Sequence, residues 1–366
     1  MFLRHLSITN FKNIASAELD FSPNINCIVG ENGEGKTNLL DAVYYLSMAK
    51  SCFGGSDYSH IRHNEPFFLL QGRYQRDDTE DTISCGVQRA EGKVLKRNNK
   101  TYDRLSDHLG LLPLVIIAPI DNDLINDSGE ERRKYMNTLL VQIDREYLHA
   151  LTHYNHFLAQ RNKLLKTPSG AASELLLTFN GQLAQHAQLI YDRRKALVAG
   201  LQPFFSDIYK TLSENKEQVT LGYRSDLDNG GLNELLLQYA GRDRVMQHTT
   251  VGIHRDDIAM HLGGYALRRV GSQGQQKTFL IALKLAQYEF LKQHNKRHPL
   301  LLLDDIFDKL DERRVQQLIA MVAHEAFGQI FLTDSNKIRL DKMVKELTQD
   351  YTIFTTKQGI FTVAGR

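Results

Sequence analysis

The sequence contains no tryptophan, and its 366 residues include only seven prolines and three cysteines. The cysteines, Cys27, Cys52 and Cys85, are far apart and form no CxxC pair. This spacing provides neither a disulfide framework nor a zinc site, so we expect three small buried thiols in a reducing cytoplasm. No run of about 18 apolar residues is present, so we expect no membrane-spanning helix. The first residues alternate like a strand and lack the apolar segment of a signal peptide.

The sequence also has no excess of one charge. Its 45 Lys and Arg residues nearly balance 43 Asp and Glu residues, which gives a formal net charge of +2. No global basic field therefore indicates a nucleic-acid partner, and any such partner must be held by local patches. Hydrophobic residues make up 42% and charged residues 24%, as in an ordinary soluble globular protein. The length suits two domains, or one domain with a large insertion.

Strand and helix patterns alternate along much of the chain, which predicts an α/β fold. The predicted strands are 2–8, 17–21, 26–29, 67–74, 82–89, 93–97, 114–117, 219–223, 257–262, 300–303 and 329–333. The predicted helices of this part are 36–48, 273–293 and 312–323.

The middle of the chain has a different character. Residues 130–166 contain no Pro or Gly, and their apolar residues recur at spacings of three and four, which predicts one amphipathic helix. A break at 167–170 separates it from a second helical stretch that we expect to end before Pro203. The two predict an antiparallel helical arm inserted into the α/β domain, with an ordinary pair of core helices as the alternative. We therefore predict an ATPase lobe of residues 1–122 and 295–366, and a second lobe, 123–294, with the arm at about 128–215.

A glycine-rich loop, GENGEGKT, follows the strand at 26–29 and precedes the helix at 36–48. It fits the P-loop pattern GxxxxGK[ST], in which backbone N–H groups and the helix N-terminus face a phosphate. Lys36 would bind the β- and γ-phosphates of ATP, and the Thr37 hydroxyl would bind Mg²⁺. The candidate ATP-binding residues here are Gly30, Glu31, Asn32, Gly33, Glu34, Gly35, Lys36, Thr37 and Asn38.

A second motif, PLLLLDD, supplies the carboxylates that a P-loop requires. Four leucines predict a buried central strand, which would place its following residues at the carboxyl edge of the sheet. We predict that Asp304 is the Walker B ligand of Mg²⁺ and that Asp305 is the general base that polarises the attacking water.

The segment VGSQGQQK, at about 270–277, begins a long helix with Ser272 as its N-cap. Because it lies some 25 residues before the Walker B strand, it resembles the signature motif of ABC ATPases. That motif caps the γ-phosphate of ATP held by a second subunit in a head-to-tail dimer. Ser272, Gln273 and Gly274 would supply this contact, and residues 308–311 match the D-loop of the same proteins.

Over nearly its whole length the chain resembles the RecF family of bacterial recombination and repair proteins. The resemblance is carried by the following segments: NFKN at 10–13, GENGEGKTNLLDAVYYLSMAKS at 30–51, ERRKY at 131–135, HYN at 153–155, QRNKLLK at 160–166, TTVGIHRDD at 249–257, SQGQQKTFLIALKLAQ at 272–287 and LLLLDDIFDKLDERR at 300–314.

At a few positions the chain departs from the pattern of this family. Ile253 replaces a proline, and Ile120 replaces an acidic residue, so that Asp121 is taken as the Mg²⁺-sensing residue. Cys52 and Phe53 stand where many relatives carry an arginine.

The resemblance implies a P-loop ABC-ATPase head, with a RecA-like core, an antiparallel β subdomain and an inserted helical arm. It also implies a weak, DNA-stimulated ATPase that uses ATP and Mg²⁺ and dimerises on ATP. Such a protein would bind duplex or gapped DNA at single-strand/duplex junctions in recombinational repair, the SOS response and replication-fork maintenance. It would load RecA together with RecR and RecO.

Local basic clusters are the only direct indication of DNA binding. Lys and Arg side chains contact phosphates, but a charged run is more often a solvated face. No base-reading motif is present, so we expect little sequence preference. The candidate DNA contacts are Arg132, Arg133, Lys134, Arg193, Arg194 and Lys195.

Three other functions remain open. An SMC-type chromosome or break-repair head is one, although this arm is short and its turn has no cysteine for a zinc hook. An ABC transporter subunit is another, although Thr333 and Asp334 stand where transporters have a switch histidine. A scaffold without catalysis is the third, although Lys36, Thr37, Asp304 and Asp305 are all chemically competent.

Overall fold

A computed structural model describes residues 1–167, 174–306, 312–323, 327–338, 340–341, 344 and 348–365. The chain forms two compact units: unit 1 contains Met1–Asp121 and Gln287–Arg366, and unit 2 contains Asn122–Ala286. The sequence prediction placed the second boundary at 294/295, eight residues later than the structure does. The difference arises because the helix Gln273–Asn295 is continuous across the boundary.

The strands are, in chain order, β1 (Phe2–Phe11), β2 (Ile14–Asp20), β3 (Ile25–Val29), β4 (Phe67–Arg76), β5 (Thr79–Gln88), β6 (Gly92–Arg97), β7 (Lys100–Thr101), β8 (Leu114–Ile117), β9 (Val219–Arg224), β10 (Asp257–Leu262), β11 (Tyr265–Ala266), β12 (Leu300–Leu303), β13 (Ile330–Asp334), β14 (Tyr351–Lys357) and β15 (Ile360–Gly365). The α-helices are α1 (Lys36–Met48), α2 (Asp123–Asn126), α3 (Gly129–Leu140), α4 (Arg145–Leu165), α5 (Glu174–Leu212), α6 (Leu232–Gln238), α7 (Ala240–Met246), α8 (Leu267–Val270), α9 (Gln273–Asn295) and α10 (Glu312–Ala323). No helix within the described ranges is both long enough and apolar enough to cross a membrane.

Unit 1 contains two six-stranded sheets. One is antiparallel, in the order β2-β1-β4-β5-β6-β7. The other has the order β15-β14-β3-β13-β12-β8, and all its strands are parallel except β15. Every residue of β3, β8, β12 and β13 is buried. Burial of these four neighbouring strands is typical of a parallel sheet covered on both faces, and it explains the wholly apolar sequences of β8 and β12.

The single helix predicted over 130–166 is wrong, because the structure has two helices there, α3 and α4. Asp144 separates them: its side chain accepts the N–H of Tyr147 at 2.9 Å and caps α4. An aspartate that binds nearby backbone in this way competes with a continuing helix. The apolar spacing persists through the break, so periodicity alone did not reveal it.

The expected end of the second helix before Pro203 is also wrong, since α5 continues through Pro203 to Leu212. A proline inside a helix costs about 3 kcal/mol. Beyond it, Phe205, Tyr209 and Leu212 are all buried. Burial of three large side chains contributes more than the proline costs, at about 1.5–3 kcal/mol each.

Helices α4 and α5 run antiparallel within unit 2. His153 faces His186, and further along α4 Arg161 donates to Asn180 at 2.8 Å, so the two sequences pair in opposite directions. Tyr154 of α4 is fully buried and its hydroxyl lies 2.8 Å from His254 Nδ1. The predicted helical arm is thus packed on its own unit at these positions. Of the predicted break at 167–170, residues 168–170 lie outside the described residues.

Two buried arginines stabilise unit 2. Arg194 of α5 is 1% exposed and binds Asp256 at 2.6 Å, the carbonyl of Ile253 at 2.7 Å and Asn137 at 3.0 Å. Arg161 of α4 binds Asp243 at 2.8 Å, and neither side chain is exposed. Buried charges are tolerated when each has a partner, and removing one partner leaves the other charge unpaired.

Arg194→Met keeps an unbranched apolar stem, shorter than that of arginine, and removes the charge. We expect it to lower the free energy of unfolding by about 3–5 kcal/mol, because Asp256 would stay buried without its cation. Arg193→Met is the matched control: Arg193 pairs with Asp144 at the surface, where such pairs contribute only about 0–1 kcal/mol. Urea unfolding followed by circular dichroism measures both. Equal losses in the two variants would contradict a stabilising role for the buried pair.

Candidate nucleotide-binding site

The glycine-rich loop leaves the carboxyl end of β3 and enters α1, as the motif requires. Gly33 and Gly35 have φ angles of 85° and 105°, in the left-handed region that favours glycine. A Cβ added at Gly33 would meet nothing within 4 Å, so the loop is open on that side. The loop therefore has the conformation that exposes backbone N–H groups to an anion.

Lys36 lies inside the loop with its side chain buried. Its Nζ donates to the carbonyl oxygens of Gly30 at 2.9 Å and Glu31 at 3.2 Å. The same Nζ is 4.0 Å from a carboxylate oxygen of Asp305. The structure thus brings the predicted lysine and the predicted base to one place.

Thr37 and Asp304 are in direct contact. The Thr37 hydroxyl lies 2.9 and 3.0 Å from the two carboxylate oxygens of Asp304. Burial raises the pKa of Asp304, while the hydroxyls of Thr333 and Thr37 oppose that rise by donating hydrogen bonds to the carboxylate. The pair is assembled across the sheet from the first turn of α1 and the end of β12.

Thr333, at the end of β13, connects the two aspartates. Its hydroxyl donates to Asp304 at 2.8 Å and accepts the backbone N–H of Asp305 at 2.9 Å. Asp305 has a φ of 45°, an uncommon value for a residue other than glycine. From the sequence, Thr333 was considered only as a position where transporters have a switch histidine and this chain does not. Its location at the carboxyl end of a predicted strand could have indicated a site residue.

The residues present fit a Mg²⁺ ion bound to a nucleotide. A hydroxyl and a carboxylate are the hard oxygen ligands that Mg²⁺ prefers, and phosphate oxygens and waters complete its shell in P-loop proteins. Within the described residues, no three His, Cys, Asp or Glu side chains converge as a metal site of their own. Thr37 and Asp304 would hold the ion. The carboxylate of Asp121 accepts the N–H of Ala118 at 2.8 Å and closes a 3₁₀ turn, and its role toward Mg²⁺ stays a prediction.

Asn13 and Asn38 support the loop from outside. Asn13 lies in the turn between β1 and β2, and its amide donates to the carbonyl of Gly33 at 3.2 Å. Asn38 donates to the Asn13 side chain at 2.7 Å. Asn38, predicted to bind ATP, therefore has a structural contact on the protein side of the loop.

The signature segment in unit 2 begins α9 with reciprocal hydrogen bonds. Ser272 accepts the N–H of Gln275 at 3.3 Å, and Gln275 accepts the N–H of Ser272 at 2.7 Å. This is a capping box. Gln275 also donates to Glu217 at 2.5 Å, which fixes the start of the helix. Ser272 and Gln273 remain exposed, and the predicted D-loop at 308–311 lies outside the described residues.

Each of the six candidate DNA contacts has a partner inside unit 2. Arg194 is withdrawn as a DNA contact, because a guanidinium that is 1% exposed cannot reach a phosphate. Arg132 binds Asp257 and the carbonyl of Leu124, and Arg133 binds the carbonyl of Asp256 at 2.9 Å. The other three are exposed cations in surface pairs: Lys134 with Glu130 and Glu131, Arg193 with Asp144 and Glu146, and Lys195 with Asp228.

His254 belongs to the fold. Its Nδ1 lies 2.8 Å from the Tyr154 hydroxyl and its Nε2 lies 3.1 Å from the carbonyl of Thr249. Burial lowers its pKa to about 4, so the ring is neutral at pH 7. The neighbouring Arg255 is exposed.

Sequence comparison identifies close relatives over the whole chain. The family model of the RecF/RecN/SMC N terminal domain matches residues 2–362. The DNA replication and repair protein RecF of Phocaeicola vulgatus is 46% identical over 364 residues, which cover 99% of this chain and 98% of that protein. The protein of the same name from Bacteroides thetaiotaomicron is 46% identical over 366 residues, 100% of this chain and 99% of that protein.

Solved structures agree with this result. A structure of the recombination mediator protein RecF with ATP, in the RecFOR pathway, has a TM-score of 0.89 and 29% identity, and the match covers 100% of this chain and 98% of that one. An Smc head bound to the C-winged helix domain of ScpA has a TM-score of 0.57 at 14% identity, covering 100% and 98%, which shows a shared fold alone. The predicted fold, an ABC-ATPase head, is confirmed.

Proposed function

This chain belongs to the RecF family of DNA replication and repair proteins, and we propose that it is an ATPase in which ATP gates dimerisation on DNA. In this proposal ATP and Mg²⁺ bind at residues 30–38 together with Asp304. Hydrolysis is weak and stimulated by DNA. The protein acts in the cytoplasm at duplex or gapped DNA in recombinational repair and replication-fork maintenance, and assists RecA loading with RecR and RecO.

One observation carries the proposal: Lys36, Thr37, Asp304 and Asp305 converge at the carboxyl edge of one sheet. Lys36 would bind the phosphates, and Thr37 and Asp304 would hold Mg²⁺, which supplies charge neutralisation to the phosphates when bound. Asp305 would orient and deprotonate the attacking water. Thr333 would hold both aspartates in position, because it bonds to each of them.

The surface around the signature segment supports a second copy of the chain as partner. Tyr265 is 70% exposed and Val270 is 49% exposed, and they flank the exposed Arg268 and Arg269 directly before Ser272. Exposed apolar side chains are typical of a surface that another protein covers. The cations beside them and the N-terminus of the following helix would attract an anion. Ser272, Gln273 and Gly274 would then cap the γ-phosphate of the nucleotide held by the other copy.

DNA binding is proposed to use exposed cations outside the buried pairs. Lys96 and Lys100 are exposed on the neighbouring strands β6 and β7, and β7 is the edge of its sheet in unit 1. Arg255, Arg268 and Arg269 are exposed on unit 2. Because such binding would consist of contacts between local cations and phosphates, it should depend strongly on salt and little on base sequence.

Lys36→Ala tests the nucleotide site. Loss of the ammonium should weaken ATP binding on the order of 100-fold, as expected for charge-assisted bonds to phosphate. Titration with a fluorescent ATP analogue measures ATP affinity. Retention of gapped, duplex and single-stranded DNA with and without ATP measures how far DNA binding depends on ATP. Lys163→Ala, on the exposed face of α4, is the control. Wild-type ATP-dependent DNA retention by Lys36→Ala would refute the proposal.

Thr333→Val replaces the hydroxyl with a methyl group of similar size. We expect ATP binding to stay within about twofold while turnover falls roughly tenfold or more, because the base and the metal ligand lose their common support. Thr333→Ser keeps the hydroxyl and should retain most turnover. Steady-state phosphate release alongside ATP titration separates the two effects. Equal turnover in the Val and Ser variants would contradict the role of Thr333.

Ser272→Arg should leave ATP binding to the monomer unchanged and abolish the ATP-dependent dimer, because the larger cation would fill the capping position. Ser128→Arg is the matched control, since Ser128 is also an exposed N-cap residue, at the start of α3. Light scattering with and without ATP gives the mass of each variant. A normal ATP-dependent dimer of Ser272→Arg would rule out capping by a second copy.

A further inference from the structure

The turn between β14 and β15 lies against the outside of the P-loop. Strand β14 is parallel to β3, and Thr355 and Val29 are the last pair between them. Residues 356–359, which are the last two residues of β14 and the two that follow it, therefore lie next to residues 30–34. Neither sequence periodicity nor motif spacing predicted a strand or a turn in this part of the chain.

Three donors from residues 356–359 converge on Glu34. The carbonyl oxygen of Glu34 accepts the N–H of Gly359 at 3.0 Å and the hydroxyl of Thr356 at 2.9 Å. The carboxylate of Glu34 accepts the N–H of Gln358. These are contacts between residues more than 320 positions apart in sequence.

The packing here leaves no free space. A Cβ added at Gly30 would lie 2.7 Å from both the methyl group and the carbonyl oxygen of Thr356. A Cβ added at Gly359 would lie 2.7 Å from the carbonyl oxygen of Asn13, and Gly359 has a φ of 76°. Backbone atoms of the turn, the P-loop and the β1-β2 turn are thus in direct contact.

We infer that residues 356–359 are a positioning element of the nucleotide site, which fixes the P-loop from its outer side. The inference rests on the proposed ATP site. Glu34 lies between the two left-handed glycines, Gly33 and Gly35, so fixing its peptide fixes the direction of the N–H groups on either side. A loop held in its binding conformation loses less conformational entropy on binding, which raises affinity.

Thr356→Val tests this inference, because it removes the hydroxyl bonded to Glu34 and keeps the volume of the side chain. We expect ATP binding to weaken about fivefold, the effect of one lost hydrogen bond. The KM for ATP should rise by a similar factor with little change in kcat. Hydrogen exchange of the 30–36 amides should become faster.

Thr355→Val is the matched control. Its hydroxyl lies 2.8 Å from that of Thr362, so the change affects the same hairpin but no contact with Glu34. Weaker ATP binding in Thr356→Val alone, with equal melting temperatures, would support the inference. Wild-type affinity in both variants would overturn it, as would an equal loss in both with lower melting temperatures. If the wild-type protein binds no ATP, the proposed site itself fails, and the inference fails with it.

Discussion

The position of β13 between β3 and β12 determines the geometry of the candidate site. Because the three strands are parallel, their carboxyl ends meet at one edge, where Gly30, Thr333 and Asp304 follow or end the strands. Adjacent strands are about 4.8 Å apart, so the P-loop strand and the Walker B strand are separated by about two such spacings. The side chains of Thr37 and Thr333 bridge that gap to Asp304. With β12 directly beside β3, Thr333 would have no place in the site.

The buried charges of the candidate site in unit 1 are compensated differently from the buried arginines of unit 2. In unit 2 each buried arginine faces a buried aspartate, as with Arg194 and Asp256, and such a pair is costly to break. In unit 1 the buried Lys36 is satisfied mainly by two backbone carbonyls, and the buried Asp304 by two hydroxyls. Neutral partners can be exchanged for a ligand without leaving an opposite charge buried and unpaired. The arginine–aspartate pairs of unit 2 therefore serve the fold, whereas the contacts of Lys36 and Asp304 suit binding.

Sequence patterns predicted what depends on local structure. The P-loop, the four-leucine strand and the cap at Ser272 were predicted because each is specified by a few adjacent residues. Features that depend on residues distant in sequence were missed. Thr333 is brought to the site by the order of the strands, and residues 356–359 are brought to it by the pairing of β14 with β3. Arg194 lies in a basic run that resembled a solvated face, yet its helix directs it inward. Pro203 was taken as a stop because the burial beyond it is a tertiary effect.

The hydrogen bonds already present at the site bear on how ATP would act. Lys36 donates to two carbonyls and Thr37 contacts Asp304, so phosphates and Mg²⁺ would replace these contacts and not simply add new ones. Hydrogen bonds to charged groups contribute about 1.5–3 kcal/mol each, and breaking the existing contacts offsets part of that gain. Binding to one copy would then leave much of the phosphate charge without close partners from the chain. A second copy that presents Ser272 and the N-terminus of α9 would supply them. On this argument dimerisation would contribute to nucleotide affinity, and by reciprocity nucleotide would contribute equally to dimerisation, which is the property that a gate requires.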